Sequence, residues 1–302
     1  MSAAAARLST VADAFNLRAR RSRRRLSSPW ASLTAILIAA LWTLPTFGLL
    51  ATSFRPQGDI QSSGWWTVFT EPRFTLDNYR EVLRAQNSGS SLFDAFLNSV
   101  AITVPSVLAP LSLAALAAYV FAWIEFRGRD LLFVIVFALQ IVPVQVTLVP
   151  LLQLYVKLDL AGTFWPIWIS HAIFSLPLGV FLLHNFMKDI PRDLLEAARV
   201  DGATHVQVFL RVVLPLLAPA LAAYAIFQFL WVWNDLLVAL TFANTSETNP
   251  ITVALANLAG NYGTSWYLLS AAAFVSMLVP LLVFLALQRY FVRGLLAGSV
   301  KG

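Results

Sequence analysis

Six stretches of this 302-residue chain contain no acidic or basic residue, and each is long enough to cross a lipid bilayer. They are residues 26–54, 95–124, 131–156, 160–187, 212–234 and 248–288. A bilayer core requires about 20 apolar residues in a helix, and helices are needed because lipid offers no partner to exposed backbone groups. The sequence therefore predicts an all-α membrane protein with six transmembrane helices, at about 31–52, 95–118, 131–152, 164–186, 216–238 and 266–288.

The composition excludes several other classes of protein. Only 12% of the residues are charged, whereas soluble domains carry about 25%. The net charge of +6 would by itself suit nucleic acid, but the basic residues cluster as membrane topology requires, so we expect a lipid membrane and no nucleic acid as partner. The chain has no cysteine, and His171, His184 and His205 lack metal-site spacing. We therefore expect no metal and no cofactor bound by this chain.

Lysines and arginines are distributed unevenly between the two sides of the predicted membrane. With the N-terminus inside, 16 of the 21 fall in cytoplasmic segments and 5 in outer loops, which predicts that both termini are cytoplasmic. This topology predicts an arginine-rich cytoplasmic tail at 1–30, a transmembrane domain at 31–290 and a cytoplasmic C-terminal tail at 291–302. An export signal is a weaker reading of the first tail, because the apolar stretch after it is too long for a signal peptide.

The central cytoplasmic loop, residues 187–215, is predicted to form two short helices joined at a glycine. Gly202 suits the left-handed residue that ends a helix, and Thr204 with Gln207 has the spacing of a capping box for the next helix. Val206, Phe209, Leu210 and Val213 recur at helical spacing and predict an apolar stripe. An amphipathic linker resting on lipid headgroups would show the same periodicity.

Three charged and two small side chains give this loop the character of a docking surface. Arg192 and Arg199 flank Glu196 at four and three residues, close enough to hold its carboxylate. Ala197 and Ala198 follow, and their small side chains would let another surface approach closely. We expect the loop to bind another protein rather than to carry out chemistry.

The full pattern of the loop is more specific than its periodicity. Glu196-Ala197-Ala198, three residues, Gly202, nine residues, and then an aliphatic residue, any residue and Leu214-Pro215 resembles the EAA loop of ABC-importer permeases. Asn98-Ser99, Trp233-Asn234-Asp235 and the C-terminal run 288–302 are similar to the carbohydrate branch of that family, most of all to the smaller maltose-type permease subunit. The resemblance covers about residues 30–302.

This resemblance implies the fold of a type I ABC importer permease in a bacterial cytoplasmic membrane, as a multi-pass protein. It implies a second permease subunit, an ATPase subunit dimer and an extracytoplasmic sugar-binding protein as partners. The chain has no GxxxxGK[S/T] phosphate loop, so ATP and Mg would bind the ATPase and this chain would not be an enzyme. The implied function is ATP-driven import of a di- or oligosaccharide, with an α-glucoside as one candidate. An ion-coupled secondary sugar transporter is the alternative.

The resemblance also assigns roles to particular residues. The docking of the ATPase subunits is assigned to Glu196, Ala197, Ala198, Asp201, Gly202, Leu214, Pro215, Gly298 and Lys301. Glu196 would pair with a basic residue of the ATPase. The residues themselves, and not the resemblance, make Asn234, Asp235, Gln140 and Trp231 candidates for a substrate path or outer gate, because ionisable and polar groups inside membrane segments usually face a cavity or a partner. The alternatives are that Asp235 lies close to the outer surface, where it is easily solvated, that glutamines bond between helices, and that tryptophans anchor at the membrane interface. Contact with the binding protein is assigned to Asn249, Asn257, Asn261 and Tyr262, in a predicted outer loop at about 239–265.

Overall fold

The structure is a computed structural model that describes residues 29–84, 86–87, 90–243, 245–261 and 266–297. Almost all of its regular structure is helical, as predicted. Most of the arginine-rich tail, together with Tyr262, Gly298 and Lys301, lies outside the described residues. The chain divides into two compact units, one up to Thr75 and one from Leu76 onward.

The first unit contains one long apolar helix and a folded polar segment. Helix α1 spans Pro29–Ser53, close to the predicted 31–52, and is followed by α2 (Gln57–Ser62) and a 3-10 turn at Trp65–Phe69. Arg55 is buried, and its guanidinium donates to the carbonyl of Asp59 at 2.9 Å and to the hydroxyl of Thr67 at 3.0 Å. These bonds satisfy the buried charge and hold the segment in a compact turn.

The second unit consists of twelve described helices and one short β-ladder. The helices are α3 (Asp77–Arg84), α4 (Leu92–Trp123), α5 (Arg129–Ala138), α6 (Val144–Lys157), α7 (Trp165–Lys188), α8 (Arg192–Val200), α9 (His205–Val208), α10 (Leu214–Leu216), α11 (Ala218–Trp233), α12 (Leu237–Phe242), α13 (Ile251–Asn261) and α14 (Trp266–Ala297). Strands β1 (Gln86–Asn87) and β2 (Ser90–Ser91) pair antiparallel. A 3-10 turn at Leu139–Ile141 follows α5, and a π-turn at Phe209–Val213 joins α9 to α10.

Within the described parts of the chain, four helices are long and apolar enough to cross a membrane alone: α1, α4, α7 and the Trp266–Gln288 part of α14. Two further candidates are bent pairs of helices. Arg129–Ile141 meets Val144–Lys157 at 97°, and His205–Leu216 meets α11 at 74°. The total is six if each bent pair forms one span. The count of six and the cytoplasmic placement of both termini remain predictions.

The third predicted span, 131–152, is not a continuous helix. The chain breaks at Val142 and Pro143, which have ψ angles of 118° and 131°. A residue before proline is driven out of the helical region, and proline cannot donate the next helical hydrogen bond. The expectation of one helix across this stretch is therefore wrong, and α5 and α6 point in different directions.

The fifth predicted span, 216–238, ends earlier than expected, and the predicted outer loop at 239–265 is not a loop throughout. Helix α11 stops at Trp233, and a new short helix, α12, begins at Leu237. Helix α13 occupies much of the predicted loop, and its residues Ile251 and Leu258 are buried. The burial of these side chains explains why a helix forms where a loop was predicted, because it stabilises α13. The polar composition of the segment had indicated a loop.

The packing of α4, α7 and α11 forms the centre of the second unit. Small residues make the close approach possible, as membrane helix interfaces require. Ala114 and Ala118 of α4 are fully buried, and a Cβ atom at Gly179 of α7 would lie 2.5 Å from the ring of Tyr224 on α11. Only glycine fits at this crossing, where the Tyr224 hydroxyl donates to the carbonyl of Ser175 at 3.1 Å.

Candidate functional site

The segment Arg192–Pro215, called the elbow below, has the two-helix form that the sequence predicts. Gly202 ends the first helix with a φ of +85°, in the left-handed region. The backbone N–H of Gln207 donates to the Thr204 hydroxyl at 3.3 Å, and the Thr204 N–H donates to the Gln207 side chain at 2.8 Å. The predicted glycine hinge and capping box are both confirmed, so local sequence alone sets the shape of the elbow.

The elbow is attached to the helix bundle by a few buried side chains. Leu195 of α8, Val208 of α9, and Phe209 and Val213 of the π-turn join one buried core with residues of α4 and α7. Phe209 packs edge-on against Tyr119, with ring centroids 5.3 Å apart. The elbow is therefore packed directly against α4, α7 and α11.

The apolar stripe of the second elbow helix differs from the predicted one. Phe209 and Val213 are buried as expected, but Val206 is 65% exposed and Leu210 is 52% exposed. The buried partner is Val208 instead, five residues before Val213. The π-turn explains the change, because its wider turn of i→i+5 bonds shifts the buried face by about one residue relative to an α-helix.

The predicted ion pairs of Glu196 do not form. Glu196 is exposed, and among the residues that the structure describes neither Arg192 nor Arg199 lies within ion-pair distance of its carboxylate. All three side chains instead line one cavity of about 420 Å³. Exposed pairs on a helix gain only about 0–1 kcal/mol, which the entropy of holding two long side chains offsets. Glu196 is thus open to a partner.

The other described residues assigned to docking also belong to the elbow. Ala197, Asp201, Gly202 and Pro215 are exposed, and Ala198 and Leu214 are half-buried. Val200 is 87% exposed, which adds an apolar side chain that the sequence analysis did not assign. The sequence signal that could have identified Val200 is its position just before the glycine hinge at Gly202.

A cavity of about 480 Å³, called the membrane cavity below, lies between the bend after α5 and helices α7 and α11. Gln140 and Trp231, both assigned to the substrate path, line it together with Gln228, Ser175 and Tyr224. The remaining walls are mostly aliphatic and aromatic side chains. The volume and the few convergent polar groups are those of small-molecule sites, so the structure brings half of the predicted path residues into one cavity.

Asn234 and Asp235 do not line this cavity. Asn234 is exposed, and its side-chain amide donates to the Leu230 carbonyl at 2.7 Å. The Asp235 carboxylate accepts from the N–H groups of Val238 and Ala239 at 3.4 and 3.0 Å, so it caps the first turn of α12. The placement of Asp235 thus follows from helix capping, which sequence spacing did not suggest.

A buried polar cluster surrounds Asp235 at the end of the bundle remote from the elbow. Its carboxylate lies 3.8 Å from Nε2 of His171, which is too long for a hydrogen bond, and its carbonyl accepts from the Thr252 hydroxyl at 2.7 Å. The Ser99 hydroxyl accepts from the Ile251 N–H at 2.8 Å. Helices α4, α7 and α13 and the connection between α11 and α12 therefore meet at one set of polar contacts.

The residues assigned to the binding protein flank and occupy α13. The Asn249 carbonyl accepts from the Asn98 side-chain amide at 3.1 Å, which ties this segment to the start of α4. Asn257 is half-buried, and Asn261 is the last residue of α13. Tyr262 follows outside the described residues. The structure thus gives the segment a defined shape without showing its partner.

Gln228 is a site residue that the sequence analysis missed. It is buried, and its amide donates to the Ser106 carbonyl at 3.0 Å, linking α11 to α4. It also lines the membrane cavity. The signal that could have revealed it is its position as the sole glutamine of the charge-free stretch 212–234, since polar groups within membrane helices usually face the bundle interior.

A family model matches most of the chain. The model describes the inner membrane component of binding-protein-dependent transport systems, and it covers residues 79–296. The match includes the elbow, the membrane cavity and the polar cluster around Asp235.

Individual relatives and a solved structure agree with that match. The chain is 53% identical to the osmoprotective compounds uptake permease protein GgtD of Synechocystis, over 89% of this chain and 91% of the relative. It is 50% identical to the alpha-glucoside transport system permease protein AglG of Rhizobium meliloti, over 82% of this chain and 66% of the relative. A crystal structure of a bacterial ABC transporter that imports alginate shares the fold, with a TM-score of 0.69 and 22% identity over 90% of this chain and 98% of that chain.

Proposed function

Because the chain belongs to the family of inner membrane components of binding-protein-dependent transport systems, we propose that it is a permease subunit for ATP-driven import of an α-glucoside or a related small sugar compound. As a subunit of that family it is a membrane transport protein and not an enzyme. This membership favours a binding-protein-dependent importer over the ion-coupled secondary transporter that the sequence left as an alternative.

The exposed elbow is the observation that carries the proposal. Glu196 and Ala197 stand open to solvent on α8, while Leu195 of the same helix is buried in the bundle core. One face of a short helix is thus free to bind a partner, and the other is fixed to the spans. A rigid element with these two faces is suited to converting the closure of an ATPase dimer into a movement of the spans.

The other partners follow from the same arrangement. ATP and Mg would bind the ATPase subunits, and Gly298 and Lys301 would join the docking surface there. A second permease subunit would cover exposed apolar faces of the spans in a bacterial cytoplasmic membrane. The segment from Asn249 to Tyr262, with Asn257 and Asn261, would contact the extracytoplasmic sugar-binding protein.

The proposed sugar path runs through the membrane cavity. Its volume of about 480 Å³ falls in the range of small-molecule sites. Gln140 and Gln228 supply polar groups that suit sugar hydroxyls, and Trp231 offers an aromatic face. Asn234 and Asp235 would act at the outer gate, since Asp235 connects α11 to α12 and α13. The α-glucoside class is supported by the likeness to AglG.

The experiment is co-purification of the chain with its ATPase subunit, combined with uptake of a radiolabelled α-glucoside. We expect Glu196→Lys to reduce both by about tenfold or more, since losing a charge-assisted contact costs about 1.5–3 kcal/mol. Glu71→Lys is the matched control, because it makes the same charge change at an exposed position in the first unit. Equal behaviour of the two variants would contradict the docking role, and uptake insensitive to competing α-glucosides would contradict the substrate class.

A further inference from the structure

A second cavity near the elbow, called the basic cavity below, has no role in the proposed function. It has a volume of about 470 Å³ and lies between the end of α4, the start of α5 and the end of α7. Three cationic side chains line it, those of Arg129, Lys188 and Arg192, against the single carboxylate of Asp130. Arg129 is half-buried while Lys188 and Arg192 are exposed, so the cavity presents a positive surface that favours an anion.

The carboxylate that lines the cavity does not neutralise it. Asp130 contacts Arg129, with its Oδ1 atom 3.1 Å from Nε, but the Asp130 side chain is 89% exposed while that of Arg129 is 30% exposed. In the part of the chain that the structure describes, Lys188 and Arg192 have no ion-pair partner. The cavity therefore keeps two unmatched positive charges beside a half-buried guanidinium.

The donors of the cavity suit a phosphate group in particular. A guanidinium offers two parallel N–H groups that match phosphate oxygens, and an ammonium adds a compact positive charge. His184 also lines the cavity, although its Nδ1 atom is itself buried.

The remaining wall of the cavity is apolar and continues onto an uncovered helix face. Phe133 packs against His184 with ring centroids 4.3 Å apart. Its neighbour Val134 lines the cavity and is 59% exposed, and Leu131 of the same helix is 66% exposed. A ligand with a phosphate head and an apolar tail would use both surfaces, whereas a free phosphate would use only the first.

We propose that the basic cavity binds the phosphate of an anionic phospholipid, with the acyl chains lying along the exposed side of α5. The cavity lies where α4 and α7, both long enough to span a bilayer, come to an end. Lipid headgroups are found at that depth, and clusters of basic residues between spans attract anionic ones.

The test is lipid retention by the purified full-length chain, measured by native mass spectrometry with defined lipids. We expect phosphatidylglycerol to bind in preference to phosphatidylcholine, and the pair Arg129→Gln/Lys188→Gln to weaken that binding by about tenfold or more. The pair Arg127→Gln/Arg211→Gln is the matched control, since it removes the same charge at exposed positions that do not line the cavity. The charge-retaining pair Arg129→Lys/Lys188→Arg should keep most of the binding.

Three results would overturn the proposal. Equal loss in the two glutamine pairs would mean that total charge, and not this cavity, retains the lipid. Equal retention of the two lipids by the wild-type chain would mean that no anionic head is recognised. Saturable binding of inorganic phosphate that depends on Arg129 and Lys188, without a preference for phosphatidylglycerol, would identify a site for a soluble anion instead.

Discussion

The elbow and the polar cluster around Asp235 are built in opposite ways. The elbow is shaped by contacts between residues close in sequence, such as the capping box of Thr204 and Gln207, and its outer face is exposed. The cluster joins residues far apart in sequence, such as Asp235 with His171 and Ser99 with Ile251, and it is buried. One region thus keeps its shape while its surface remains available, and the other is integral to the folded bundle.

This difference separates the expected effects of mutation. A change on the outer face of the elbow removes contacts to a partner and leaves the packed core intact. A change in the buried cluster leaves polar groups without partners, which costs stability even in the isolated chain. The predictions below test this contrast through the free energy of unfolding in detergent, starting with the largest expected effect.

Asp235→Leu is expected to destabilise the chain by about 2–4 kcal/mol, because two N–H groups of α12 lose their acceptor. The measurement is the free energy of unfolding in mixed detergent micelles. Asp235→Asn is the control, since its amide oxygen can still accept one of these bonds. A leucine variant as stable as the wild type would show that the cluster does not hold the bundle together.

Gln228→Leu is expected to cost about 1–2 kcal/mol, because the buried carbonyl of Ser106 loses its donor. Gln145→Leu, at an exposed position of α6, should change stability by less than about 0.5 kcal/mol. The same unfolding measurement applies to both variants. If the two glutamines prove equivalent, the burial of Gln228 has no energetic consequence and the contrast with exposed positions is lost.

Gly202→Ala, in the elbow, is expected to cost about 1 kcal/mol, because an alanine at a φ of +85° is strained. Gly58→Ala is a strict control, since a Cβ atom at either glycine meets no atom within 4 Å and Gly58 lacks a positive φ. The control should be neutral or slightly stabilising. Two alanine variants of equal stability would remove the argument that backbone conformation selects glycine at the hinge.

The sequence predicts the elbow well because its signals are local. The glycine hinge and the capping box each depend on residues within four positions of one another, so their geometry can be read without knowledge of the fold. The prediction was wrong where a local alternative competed, as with Val206 and Leu210, which the π-turn leaves exposed. The expected pairing of Glu196 with Arg192 and Arg199 was wrong for another reason, since solvent competes for these exposed charges.

The membrane cavity and the polar cluster could be predicted only in part. Hydropathy located the spans, and Gln140, Trp231 and Asp235 could be identified as unusual because polar, aromatic or charged residues within a predicted span can be seen directly in the sequence. Which of them share a cavity depends on the break at Pro143 and on the crossing of α7 and α11 at Gly179. These are properties of tertiary packing, and no spacing within the sequence encodes them.

Because the π-turn at Phe209–Val213 joins the elbow to the spans, the direction in which the outer face of the elbow points depends on the number of residues in this segment. Each residue of a helix advances the chain by about 100° around the axis, so adding or removing one residue between Gly202 and Leu214 would rotate the outer face of the elbow by more than a quarter turn relative to the spans. The length of this segment therefore fixes the orientation of the outer face of the elbow relative to the spans. A single-residue insertion there would aim an intact docking face away from its partner, and a substitution at the same place would not.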